Sequence, residues 1–170
     1  GYTFCCPLRM GAALAGAADK EHEKLQEFGQ CLGRAYQIKN DLKAASDTGA
    51  EFSSLAEDLQ QGKRTYVTWL IYQQAPASEK SRVRDLLNSV PQTTATLAEL
   101  SSYRQRFQVD AVAEKEITML LDTAQERLSD LALKSAAKSH LATFVREHLT
   151  PTLCSGAAEL SGTHSSVPDR

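Results

Sequence analysis

Two short runs in this sequence hold residue types that can do chemistry together. The first is Gln37, Asn40 and Asp41, with Ala44 following in the same helical pattern. At 3.6 residues per turn, Gln37, Asp41 and Ala44 share one strip of a helix, and Asn40 stacks one turn from Ala44. Asp41 offers one carboxylate to a hard cation such as magnesium, and Asn40 offers a neutral carbonyl. Ala44 offers nothing. The second run is Lys63-Arg64-Thr65 behind Gly62. A glycine, two cations and a hydroxyl at a helix start can hold phosphate oxygens. This is not a P-loop, because the first glycine and its spacing are missing. The pair of runs outlines a site for a phosphorylated ligand, with one carboxylate where a metal cluster wants several. The plain alternatives are a polar helix face for the first run and solvated cations for the second. Pattern alone leaves both open.

The elements that must position these residues are helical. Leu25, Phe28, Leu32, Ala35, Ile38 and Leu42 recur every three or four residues, which predicts a long amphipathic helix. Asp19 is its expected N-cap, with Glu21 and Glu23 favoured in the first turns. The helix should fade near Ser46-Asp47-Thr48-Gly49. Before it, the apolar stretch Tyr2–Ala18 reads as a core helix in which Gly11, Ala12, Ala15 and Gly16 admit a close neighbour. Pro7 is expected in its first turn or at a kink. Residues 51–63 read as irregular or weakly helical, with a break at Gly62. Thr65 to Ala75 is a buried helix that stops before Pro76. Ser78 is the expected cap of the next helix, and Thr96 with Glu99 forms a candidate capping box. Ala113, Ile117, Leu120, Ala124, Leu128 and Leu131 mark a longer helix; Leu141, Phe144, Val145 and His148 mark the last. Residues 151–170 read as a flexible tail.

Composition agrees with an all-α chain. Aromatic residues make up 6% of the 170 residues and β-branched runs are few. A chain this long can bury one respectable core. The formal net charge of −2 gives no basic field to attract nucleic acid. No segment is long and uninterrupted enough for a confident membrane span. Cys5, Cys6, Cys31 and Cys154 form no Cys-x-x-Cys pair and read as small buried hydrophobes in a reducing compartment, so a cytoplasmic location is expected. His22, His140, His148 and His164 do not cluster with them, which argues against zinc.

The run Phe28-Gly-Gln-Cys-Leu-Gly-Arg-Ala-Tyr-Gln-Ile-Lys-Asn-Asp41, followed by Asp58-Leu-Gln-Gln-Gly-Lys-Arg-Thr65, resembles the C-terminal half of the polyprenyl synthetase family, the trans-isoprenyl diphosphate synthases. The opening Gly1–Gly16 also resembles the helix that follows the family's Lys-Thr pair. The likeness spans residues 1 to 149, and its specific part is 28 to 65. It implies an antiparallel helical bundle over residues 1–150, part of an isoprenoid synthase fold. The family joins an allylic diphosphate to isopentenyl diphosphate, using magnesium ions held by two aspartate-rich motifs. The metal neutralises the leaving diphosphate.

Carried over residue by residue, the resemblance makes Gln37, Lys63 and Thr65 the diphosphate-binding residues, and Asp41 with Asn40 the metal-facing ones. It also exposes departures. The second motif should read Asp-Asp-x-x-Asp but here reads Asn40-Asp41-Leu42-Lys43-Ala44. Its first and last acids are gone, and Lys43 adds a positive charge. A further family lysine is replaced within Ser53-Ser54. The first aspartate-rich motif would precede Gly1. The chain is therefore expected to be a fragment or divergent member, inactive by itself. The alternatives are a non-catalytic regulatory or structural subunit of a heteromeric prenyl synthase, and a plain helical interaction module. A homo- or hetero-oligomer is expected, because half a helical domain leaves an apolar face uncovered.

Overall fold

The computed structural model describes residues 2–44 and 57–150. The predicted tail and the predicted fading at 46–49 lie outside the described residues. Among the described residues seven longer helices follow in order: α1 (Tyr2–Leu14), α2 (Asp19–Ala44), α3 (Tyr66–Gln74), α4 (Lys80–Asn88), α5 (Thr94–Arg106), α6 (Val109–Ser129) and α7 (Ser135–His148). No strand occurs among the described residues.

The frame is α2 packed along α6. Its direction can be read from cross-links. Glu21 accepts from the Ala132 amide, Lys24 reaches the Asp130 carbonyl, Glu27 pairs with Arg127 and Arg34 with Glu116. The numbers rise on one helix as they fall on the other, so the two run antiparallel. The predicted stripe is the buried one: Leu25, Phe28, Leu32, Ala35 and Ile38 on α2 meet Ala113, Ile117, Leu120, Ala124 and Leu128 on α6. These residues divide between two apolar clusters. Leu25, Phe28 and Leu32 join Ala12, Ala124, Leu128, Leu131 and Leu149 at one end. Ala35 and Ile38 join the buried faces of α3, α4 and α5 at the other. One long helix thus ties α1 and α7 to the short helices that follow the candidate site.

None of the three expected helix caps stands at the residue named for it. Asp19 is the first helical residue; the Ala18 carbonyl accepts the first bonds, from Glu21 and His22. Ser78 does not cap α4, whose first turn begins behind Glu79 with no side-chain cap bond. The cap of α5 is Thr93, whose hydroxyl accepts from the Thr96 amide at 3.1 Å. Glu99 instead pairs with Arg82, with Nε–Oε1 at 2.8 Å. That hydrogen bond holds the Glu99 carboxyl below the ordinary carboxylate value. Pro7 lies inside α1.

The close helix approach is made by a different glycine from those expected. A side chain on Gly11 would meet nothing within 4 Å. A Cβ on Gly29 of α2 would sit 3.0 Å from the Cys5 Cα and Sγ, so α1 rests directly on this glycine. Gly16 has a φ of +67° just after α1, where an L side chain would be strained. The cysteines are less buried than expected: Cys5 and Cys31 are half-buried and Cys6 is exposed, all three as free thiols. Burial raises the Cys31 thiol above its usual value, which makes it a poor nucleophile. No helix among the described residues is long and apolar enough to cross a membrane.

Candidate diphosphate-facing site

The site forms where the C-terminal end of α2 meets the start of α3. Residues 57–60 make one helical turn. Its end is closed by the Gly62 amide on the Leu59 carbonyl at 3.0 Å and the Lys63 amide on the Asp58 carbonyl at 2.8 Å. This paired closure needs a residue in the left-handed region, and Gly62 supplies it at φ +71°. The glycine expected to break the chain therefore builds a defined turn. The turn places Lys63 beside the residue where it began, and the Lys63 Nζ–Asp58 Oδ1 distance is 2.9 Å. Arg64 donates to the Asn88 Oδ1 at the end of α4, at 2.7 Å. Thr65 caps α3: its hydroxyl accepts from the Thr68 amide at 3.3 Å, while the buried Thr68 hydroxyl donates to the Thr65 carbonyl at 2.9 Å.

On α2, Gln37 and Asn40 are exposed and Lys43 is exposed beside them, whereas Asp41 is half-buried. The Asp41 Oδ2 accepts the Tyr66 backbone N–H at 2.6 Å. This bond joins the two runs that the sequence singled out. It also gives Asp41 a task not visible from spacing, because the carboxylate satisfies an amide of the first turn of α3 from another helix. Burial pushes the Asp41 carboxyl above its ordinary value; the Tyr66 N–H opposes that rise, and the nearby Asp58 charge adds to it.

These residues do not fit a magnesium cage. The ion prefers octahedral oxygen donors, commonly a carboxylate or two with phosphates and water. Among the described residues no group of three or more His, Cys, Asp or Glu side chains could hold a metal. Asp41 has one oxygen on the α3 amide, Asp58 is paired with Lys63, and Asn40 brings no charge. Gln37, Lys63 and Thr65 lie in the elements where they were expected, although Thr65 is engaged as a cap. The sequence reading missed the Tyr66 amide and Asn88. A backbone donor has no sequence signature, and Asn88 lies 24 residues beyond its Arg64 partner.

A first prediction concerns Asp41. Asp41→Ala leaves the Tyr66 amide without its acceptor and should cost about 1–2 kcal/mol. Asp41→Asn keeps an acceptor oxygen and should lose less. The folded-state value is raised, so the carboxyl favours folding most below its ordinary value of 3.8. That contribution is lost as pH rises through the folded value. Urea unfolding of wild type and Asp41→Asn between pH 3 and 7 (roughly) tests this. The wild-type advantage should shrink as pH rises, and an advantage that grows with pH would contradict the assignment.

The fold is that of an isoprenoid synthase. The crystal structure of geranylgeranyl pyrophosphate synthase from Corynebacterium glutamicum, complexed with isoprenyl diphosphate and magnesium, superposes with a TM-score of 0.68, covering 86% of this chain and 42% of that one. At 22% identity this likeness speaks for the fold alone. The family model for polyprenyl synthetase matches residues 1–103, and the chain belongs to that family. A short chain isoprenyl diphosphate synthase from Methanothermobacter thermautotrophicus is 28% identical over 145 residues, covering 82% of this chain and 44% of the relative. A dimethylallyltranstransferase from Mycobacterium tuberculosis is 34% identical over 80 residues, 46% of this chain and 23% of that protein. The chain thus spans less than half the length of these relatives.

Proposed function

We propose that this chain is a divergent trans-prenyltransferase that does not itself catalyse condensation, and that it serves as a non-catalytic part of a prenyl synthase. One observation carries this reading: the single acid left in the second motif, Asp41, is engaged as a helix cap by the Tyr66 amide. Ionisation of an allylic diphosphate needs its developing charge neutralised. Replacing two carboxylates with Asn40 and Ala44 removes the ligands that would hold a metal for that purpose. The resemblance to the polyprenyl synthetase family points to allylic and isopentenyl diphosphates as the substrate class, with Gln37, Lys63 and Thr65 as the contacts on this side. The exposed apolar residues of α1, Tyr2, Met10 and Leu14, fit a chain that works in an assembly.

A second reading is favoured by the exposure of Gln37 and Asn40 on one face of α2. In it, a longer protein containing this chain retains magnesium-dependent condensation with Asn40 and Asp41 helping to hold one ion. The purified chain, given labelled isopentenyl diphosphate, an allylic diphosphate and magnesium, should form no labelled product. Product formation above the no-protein rate would refute the non-catalytic assignment.

A further inference from the structure

Two sulfur atoms meet on α1, away from the Asp41 end of α2, and what they can do does not depend on the reading proposed for that end. Cys6 and Met10 stand four residues apart and so share one side of the helix. The Cys6 Sγ lies 3.8 Å from the Met10 Sδ. Both residues are exposed, Met10 to 60%, so burial in a core does not press them together. They line a groove of about 600 Å³ between α1 and the first half of α2, together with Cys5, Arg9, His22 and Gln26. No Asp or Glu is among the described residues that line it.

That donor set selects a metal by softness. Thiolate and thioether sulfurs favour Cu(I), whereas magnesium and calcium want oxygen ligands. Zinc wants four ligands drawn from Cys, His, Asp and Glu, and no group of three such residues among the described ones could hold a metal. A thioether does not fill that gap, but it is a natural ligand for Cu(I). The spacing fits as well. With metal–sulfur bonds of about 2.3 Å, sulfurs 3.8 Å apart subtend about 110° at a shared ion. A third position is then left for water or a small thiol from the groove. Cys5 has other contacts: its Sγ faces the Gln26 carbonyl at 3.6 Å and stands over Gly29. Arg9 donates to the Gln26 Oε1 at 3.2 Å. Its charge does not repel the bound metal, because a thiolate and Cu(I) together are neutral.

We infer that Cys6 and Met10 bind one Cu(I) ion through their two sulfurs. The Cys6 thiol gives up its proton to solvent as the copper–sulfur bond forms, and Met10 donates a lone pair. Copper stays in the +1 state throughout, so the step needs no oxidant or reductant.

The test is competition for Cu(I) between the reduced full chain and the coloured chelator bathocuproine disulfonate, without oxygen and with no other thiol present. The chain should take up one copper, and X-ray absorption should count two sulfurs on it. Cys6→Ser should weaken binding at least about a hundredfold and Met10→Leu about tenfold. Both positions are exposed, so circular dichroism should show the helices kept. Met10→Cys should bind at least as tightly as the unaltered chain, because a second thiolate replaces the thioether. Cys5→Ser, Cys31→Ser and Cys154→Ser should each change the affinity by less than about twofold. No uptake of copper from the chelator would overturn the inference. So would binding that ignores Met10→Leu, since a single thiol would then be enough. A loss in Cys5→Ser, Cys31→Ser or Cys154→Ser as large as that in Cys6→Ser would place the copper elsewhere and overturn it too. Zinc held as tightly as Cu(I) would show that softness does not select the metal, which is the remaining result against it.

Discussion

Phe28→Ala should destabilise the chain by about 3–5 kcal/mol. Phe28 is 0% exposed and lies where α1, α2 and α6 converge, among Leu25, Leu32, Ala124 and Leu128. Truncation removes a large apolar surface and leaves a cavity that helices on several sides cannot close at once. Gly29 next to it limits the repair, because α1 already rests on that glycine with Cys5 at the contact. A domain of this kind has about 5–15 kcal/mol of stability in all, so the loss is a large share of it. The matched control is Phe144→Ala on α7, where the residue is 41% exposed and its ring meets Phe4 edge-on and His148 at a tilt. That change should cost about 1 kcal/mol or less beyond the aromatic contacts themselves. Urea unfolding at neutral pH measures both. Equal losses would mean that the α1–α2–α6 junction is not the core described above.

The same junction shows why much of this fold was legible in the sequence. The spacing from Leu25 to Ile38 and from Ala113 to Leu128 names buried faces correctly, because helix periodicity and burial are both local consequences of side-chain type. Of the expected caps, only that of α5 is right in kind: Thr93 and Thr96 are both threonines, and the path of the chain decides which hydroxyl meets an amide, whereas Ser78 caps nothing and Asp19 is already helical. A close helix approach is expected from Gly11, Ala12, Ala15 and Gly16; Ala12 is indeed buried, but the tight glycine contact is made by Gly29, since a glycine's role depends on what stands opposite it. At the candidate site, residue types pointed to the right elements. The resemblance of Phe28 to Asp41 and of Asp58 to Thr65 gave the family that residues 1–103 belong to. What the site residues touch could not be read. Asp41 was read as a metal-facing acid, and its partner is a backbone N–H 25 residues away. No count of acids in the motif reveals that engagement.

Restoring the missing acids should therefore change metal binding far more than it changes the fold. In the variant Asn40→Asp with Ala44→Asp, two carboxylates stand four residues apart, one above the other on α2. Their oxygens can approach one ion from the same side, which neither Asn40 nor the engaged Asp41 can do. Magnesium affinity should rise at least about tenfold over the unaltered chain, as read by calorimetry or by the signal of manganese as a substitute. Two effects oppose the gain. Lys43 lies between the new acids in sequence, and Ala44 ends α2, where a negative charge faces the helix dipole at a cost of about 0.3–1 kcal/mol. The double variant should accordingly be slightly less stable without metal and regain stability as magnesium is added. Asp41→Asn in the unaltered chain supplies the decisive contrast. If Asp41 is a cap, that change leaves magnesium affinity where it was and moves only stability. If the unaltered chain binds magnesium as tightly as the double variant, and Asp41→Asn abolishes that binding, Asp41 is a ligand after all and the case for a non-catalytic chain falls with it.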